Sequence, residues 1–302
     1  MIEQGPVRAR WPDGRWHFQH GPIDLIIGVE GNADVVATAI EDCWLAFASV
    51  LQRLVVELRA LRSPWTPALQ LQGPVAARMG RACAPYVLQF GRFITPMAAV
   101  AGAVADHLIV TLRRPGIDRC YINNGGDIAL HLTRGTSFDV GVVANAHAPQ
   151  LDGALRVDAG MPVRGIATSG WRGRSFSLGI ADAVTVLART ASQADAAATI
   201  IANAVDLPGH PAVIRCPANE LQPDSDLGTR LVTRDVGTLG ESEIDDALRA
   251  GVSRAQQLLA AGLIEGAALR LLGETAVVGA TGIKAGALPA FHEGALERIA
   301  HV

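Results

Sequence analysis

Cys120-Tyr121-Ile122-Asn123-Asn124-Gly125-Gly126-Asp127-Ile128-Ala129-Leu130-His131-Leu132 decides how this chain is read. Two apolar runs flank an Asn-Asn-Gly-Gly-Asp turn, which makes the segment a hairpin of two strands. Adjacent glycines also let a phosphate or metal approach the backbone, and an aspartate directly after them supplies a hard oxygen ligand or binds a hydroxyl. The turn alone therefore carries both an architectural and a functional reading.

Outward from it, strands and helices interleave. A hairpin is expected around His20-Gly21-Pro22, and helical spacing runs from Val35 to Leu61. Four prolines between Pro64 and Pro85 suggest an irregular surface connection. Pro96 opens a helix from Met97 to Arg113, as proline does at a first helical position. Strands are expected around residues 138–144, 154–158 and 163–168, and a hairpin over 174–188. Helices follow at about 193–205 and 243–261, with a strand at 212–215, a polar loop over 217–228 and a final hairpin over 267–278. The fold class is α/β of the α+β kind, with a mixed, hairpin-rich sheet and packed helices in a single domain over residues 1–302.

The 302 residues are 49% hydrophobic and 18% charged, with a net charge of −3 and basic residues scattered, which excludes a nucleic-acid footprint. The apolar run Met97–Ala105 ends at Asp106-His107, too short for a membrane span. Cys43, Cys83, Cys120 and Cys216 form no C-x-x-C pair and read as free thiols. With no secretory signal at Met1-Ile2-Glu3-Gln4, a cytoplasmic protein is expected. Its charge-poor, alanine-rich composition also suits a homo-oligomer.

Three more segments carry candidate chemistry. Thr168-Ser169-Gly170 ends an apolar strand, where its hydroxyls bind phosphate oxygens or simply form a turn. Asp195 and Thr199 lie four apart on a helix, so their oxygens share one face and suit Mg2+; Ser192-x-x-Asp195 equally matches a capping box. Asp106 binds a substrate hydroxyl or faces water.

In this order, Ala101-Gly102-x-x-x-Asp106, Asn123-x-Gly125-Gly126-Asp127, Ala167-Thr168-Ser169-Gly170 and Ala194-Asp195-x-x-x-Thr199 resemble the ApbE-type flavin transferases. These are FAD:protein FMN transferases, also called thiamine biosynthesis lipoproteins. The resemblance covers about residues 90–205. It implies an FAD pocket lined by Asn124, Gly125, Gly126, Thr168, Ser169, Gly170 and Asp106, with Mg2+ on Asp195 and Thr199. It also implies cleavage of the FAD pyrophosphate and transfer of FMN to a serine or threonine of an acceptor protein. Asp127 would be a ligand or hydroxyl acceptor, and Arg174 a phosphate clamp.

Three departures accompany the resemblance. Ala101 stands where the family has lysine. Arg172–Gly179 replaces a histidine and an Asp-Pro-x-x-Gly segment, and the lipoprotein signal of exported members is absent. No residue in the motifs is a convincing general base. Two other readings therefore stay open: a different enzyme on the same scaffold using His107, His131 or His147 for proton transfer, and a non-catalytic partner subunit.

Overall fold

The computed structural model describes residues 5–142, 153–279 and 284–285. In chain order it contains β1 (Val7–Arg10), β2 (Trp16–His20), β3 (Ile23–Gly31), α1 (Ala33–Phe47), α2 (Val50–Val56), α3 (Leu58–Leu61) and α4 (Pro74–Leu88). A 3-10 turn at Pro96–Ala99 leads into α5 (Val100–Leu112), followed by β4 (Ile117–Asn124), β5 (Asp127–Leu132), β6 (Ser137–Val142), β7 (Gly153–Asp158), β8 (Gly165–Ser169) and β9 (Ala183–Ala188). Then come α6 (Ala191–Ala202), β10 (Val213–Pro217), α7 (Ala218–Leu221), β11 (Leu231–Val236), α8 (Glu241–Ala260), β12 (Gly266–Leu271), β13 (Glu274–Gly279) and β14 (Lys284–Ala285).

Nine strands form one sheet in the order β1-β2-β3-β4-β5-β8-β9-β12-β13. Every neighbouring pair within it runs antiparallel. This is the α+β class, with the hairpins expected around Gly21, Gly125-Gly126 and Gly273.

The alternation of side chains gives the sheet two distinct faces. Phe18, Leu25, Ile27, Ile122 and Ala129 point into the main core, which α1, α5, α6 and α8 cover. Residues one register step away point the other way. There Leu130, Leu132, Ile166 and Leu187 join Val157 and Val163 in a second apolar cluster, under the small sheet β14-β7-β6. The centre of the main sheet is thus buried on both sides, which explains why every residue of β9 is buried, Thr185 included.

Three expected elements differ. Residues 74–88 form a helix, not an irregular connection. Pro74 sits in its first turn, where a missing N–H costs nothing, and Val75, Met79, Ala82, Cys83 and Tyr86 make its buried stripe. The Glu57 carboxylate accepts from the Gln72 and Gly73 amides at 2.7 Å, anchoring the helix start to the end of α2. The long helix over 35–61 is broken into α1, α2 and α3. Residues 174–178 form no strand. The Leu178 amide instead donates to Asn203 Oδ1, and Gly179 packs so tightly on the end of α6 that a Cβ would lie 2.2 Å from the Ala202 carbonyl oxygen.

Candidate functional site

The glycine turn lies at the rim of the sheet, where β4 passes into β5. Gly125 and Gly126 have φ of 63° and 107°, a left-handed path that glycine adopts without strain. The Asn123 side-chain oxygen accepts the Gly126 amide at 2.8 Å and closes the turn. Successive residues then split between the faces. Asn123 pairs with Ile26 on the outer face, while Asn124 and Asp127 pair with each other on the helix face.

On the helix face the turn is wired to the starts of two helices. Asn124 Nδ2 donates to the Ala101 carbonyl at 3.1 Å, and Asp195 Oδ2 accepts the Gly102 amide at 3.0 Å. The capping-box reading of Ser192 and Asp195 is thereby corrected: the cap of α6 is Thr190, whose hydroxyl accepts the Gln193 amide, and Asp195 reaches across to α5 instead. Asp106 does not face water. It is 5% exposed and its two oxygens accept from the Ala191 amide, the Ser192 amide and the Ser192 hydroxyl at 2.7–2.9 Å. A carboxylate at a helix N-terminus also meets the positive end of the helix dipole.

The approach of α5 to α6 depends on Gly102. A Cβ there would lie 2.3 Å from the Ala191 carbonyl oxygen and 2.7 Å from the Ser192 nitrogen, both backbone atoms that cannot swing aside. Gly102→Ala would gain about 1 kcal/mol in helix propensity, but forcing the helices apart costs about 1–3 kcal/mol in a packed interior and moves the amide on which Asp195 rests. The expected result is net destabilisation, read as a lower urea midpoint; an unchanged or higher midpoint would refute the close contact.

Asp127 and Asp195 are the electrostatic centre. Burial raises the Asp127 carboxyl well above the usual carboxylate range, and the charge of Asp195 raises it further, against a hydrogen bond from the Thr168 backbone. Burial likewise pushes Asp195 up to about 7; the Gly102 and Ala101 amides pull it down, and Asp106 adds to the rise. Two neighbouring carboxyls whose proton affinity burial raises are ones whose negative charge their surroundings compensate only in part. Thr199 lies one turn beyond Asp195 on α6.

The remaining predicted residues are dispersed around this centre. The Thr168 hydroxyl shares a 2.9 Å hydrogen bond with that of Thr185, across the β8–β9 pair. Gly170 is where the backbone passes Asp182: a Cβ would lie 2.3 Å from the Asp182 oxygen. Ser169 ends β8 between them. Arg174 lies beside the turn, its Nη1 3.3 Å from where a Gly125 Cβ would be.

The histidines named from sequence lie elsewhere. His107 on α5 borders a narrow crevice with Arg53 and Glu57; burial lowers its affinity for a proton, and Arg78 and Arg53 add to that. His131 is at the far end of β5, where burial and the nearby Arg113 and Arg164 lower it. His147 lies outside the described residues. The histidine bordering the glycine turn is His17, which shares a cavity of about 150 Å³ with Asn123, Gly125 and Arg174. The signal for it was the opening hairpin: once its turn is placed at Gly21, His17 pairs with Ile26, which pairs with Asn123.

Among the described residues no helix is long and apolar enough to cross a membrane, and Cys43, Cys83, Cys120 and Cys216 are free thiols.

A family described as AbpE bacteria matches residues 8–277. A UPF0280 protein of Methanospirillum hungatei is 34% identical over 174 residues, which is 57% of this chain and 68% of that protein. A second, from Methanopyrus kandleri, is 39% identical over 161 residues, 51% of this chain and 60% of that one. The UPF0280 protein of Methanothrix thermoacetophila is 38% identical over 113 residues, 37% of this chain and 46% of its own length. The chain thus spans about half to two thirds of these relatives. Among solved structures, that of Pseudomonas stutzeri flavinyl transferase ApbE in its apo form aligns over 92% of this chain and 94% of the other, with 11% identity and a TM-score of 0.44.

Proposed function

This chain belongs to the AbpE bacteria family, and from that premise we propose that it binds FAD together with Mg2+ at the glycine turn and cleaves the flavin pyrophosphate, passing FMN to a hydroxyl of an acceptor protein or to water. The single observation that carries this reading is the buried Asp127–Asp195 pair beside the glycine turn. A divalent cation supplies the positive charge that two buried carboxylates want. Mg2+ suits them because it is ordinarily held by one or two carboxylates with the remaining oxygens taken from phosphates and water.

Asp195, Thr199 and Asp127 would hold the ion. Mg2+, when bound, neutralises the diphosphate and stabilises the AMP leaving group. Gly125 and Gly126 leave the rim open for the diphosphate. Arg174 supplies a permanent cation there, standing in position for phosphate where Ala101 offers none. The Ala101 and Gly102 amides keep Asp195 oriented, and Asn124 fixes those amides through the Ala101 carbonyl. The attacking hydroxyl comes from the acceptor, so the protein's part in the reaction is alignment and charge.

Calorimetric titration with FAD tests this. Binding is expected to strengthen with Mg2+ in the natural chain, and Asp195→Asn is expected to remove that magnesium increment. Absence of FAD binding with and without Mg2+ would sink the flavin reading, and a magnesium increment that survives in Asp195→Asn would displace the ion from this pair.

A further inference from the structure

On the sheet's outer face, opposite the carboxylate pair, the structure holds a second set of converging polar groups. Cross-strand register sets His17, Ile26 and Asn123 in one row over β2, β3 and β4. Asp24, a diagonal neighbour of His17 across the hairpin, accepts or shares a proton with His17 Nε2 at 2.6 Å. With Nε2 committed to Asp24, Nδ1 is the ring atom left for a ligand. Trp11 lies against the imidazole, with ring centroids 5.7 Å apart, and is itself covered by the Arg15 guanidinium. The imidazole is therefore fixed from two sides, while its side chain is 26% exposed and lines the cavity. Arg174 enters the same cavity from the loop after β8, alongside Gly125.

We infer that this cavity is an anion subsite in which His17, held by Asp24, and Arg174 grip one phosphoryl group of a diphosphate whose other phosphoryl lies at the glycine turn. The inference rests on the flavin reading for the identity of that ligand but not for the chemistry of the subsite. In its imidazolium form His17 donates Nε2–H to Asp24 and Nδ1–H to a phosphate oxygen, so it and the planar Arg174 guanidinium match tetrahedral phosphate, whose oxygens accept from both. Asn123 is neutral and its side-chain oxygen is taken up by the turn, while the Asp24 carboxylate that also lines the cavity is engaged by His17. The two glycines explain how one ligand serves both faces. Nothing lies within 4 Å of a Cβ built on Gly126, and at Gly125 only the Arg174 guanidinium does, so the rim between outer and helix faces is open beside that cation.

Histidine ring NMR separates this inference from the flavin reading, with the His17 signal assigned by its loss in His17→Gln. Inorganic pyrophosphate and FAD with Mg2+ are titrated separately into natural protein, His17→Gln and Arg174→Gln. The expected result is a shift of the His17 signal with pyrophosphate, and about tenfold weaker pyrophosphate binding in each variant, the loss typical of one charge-assisted hydrogen bond. Arg174 is exposed, so its variant keeps the test valid even if His17→Gln folds poorly. A His17 shift with pyrophosphate but no FAD binding leaves the subsite standing and removes the flavin. FAD binding that depends on Asp195 while His17 stays silent to both probes, with undiminished affinity in both variants, overturns the subsite and leaves the flavin. Silence to both probes with no FAD binding overturns both.

Discussion

Metal-free protein is expected to lose stability as the pH rises from about 5 to about 8, and Asp195→Asn is expected to flatten that loss. The Asp195 carboxyl lies near 3.8 when unfolded and is pushed up to about 7 when folded. Between those values the folded chain holds a proton that the unfolded chain has released, so raising the pH favours unfolding. Below the unfolded value neither state is charged and nothing is lost; above the folded value the full cost is felt. A displacement of that size corresponds to about 4 kcal/mol at its limit, from about 1.4 kcal/mol per pKa unit. Over the range from about pH 5 to about pH 8, some 2–3 kcal/mol of that appears, or several degrees of melting temperature for a chain of this size.

Asp127 is raised in the same direction, so the natural chain's slope includes both members of the pair. Other groups titrate in this window too, and the comparison with Asp195→Asn cancels them. Asparagine keeps an oxygen for the Gly102 amide while removing the charge. Thermal melts of the two proteins in EDTA at matched pH values decide the matter. Parallel slopes would mean that Asp195 is an ordinary ionised carboxylate in the folded state, and the case for a buried pair awaiting a cation would go with it. Under the proposed function, Mg2+ added to the natural chain at the alkaline end recovers the lost stability by mass action, and the variant responds less.

How far the sequence revealed this arrangement depended on whether the deciding contact was local. Asn123-Asn124-Gly125-Gly126-Asp127 could be placed between strands because turn chemistry is written in adjacent residues. The same holds for the hairpins around Gly21 and Gly273, and for α8, where apolar residues recur at helical spacing. Helix α4 was hidden by its prolines, although Val75, Met79, Cys83 and Tyr86 trace a buried stripe through them. Its start is satisfied by Glu57, far away in sequence. The role of Asp195 was obscured for a related reason. A capping box is a local pattern, whereas the Gly102 amide that Asp195 accepts comes from another helix. The sequence does not mark His17, whose meaning comes from two successive strand pairings that place it level with Asn123; a histidine in an isolated strand carries no such signal.

Asp106 is the position where sequence and structure assign different work, and Asp106→Ala separates them by effect size. As a ligand for a substrate hydroxyl, its removal would weaken binding and leave folding intact. In the structure it joins α5 to the start of α6, accepting two backbone amides and one hydroxyl while almost wholly enclosed. Alanine would leave those three donors buried without an acceptor, at about 1–3 kcal/mol for each that water cannot reach. It would also remove a negative charge from the positive end of the helix, a further contribution of up to about 2 kcal/mol. Some relaxation and water entry are certain, so a net loss of about 3–5 kcal/mol is expected in urea unfolding, a large share of the stability of an ordinary domain. Ser192→Ala removes only the hydroxyl contact and is expected to cost about 1 kcal/mol. Asp106→Asn should fall between the two, because its amide oxygen can serve one donor while its NH2 faces the other. A loss below about 1 kcal/mol in Asp106→Ala, with FAD binding abolished, would return Asp106 to the ligand role. The ordering Ala, then Asn, then Ser192→Ala would instead identify it as the brace that sets the height of α6, and with it the position of Asp195 against the glycine turn.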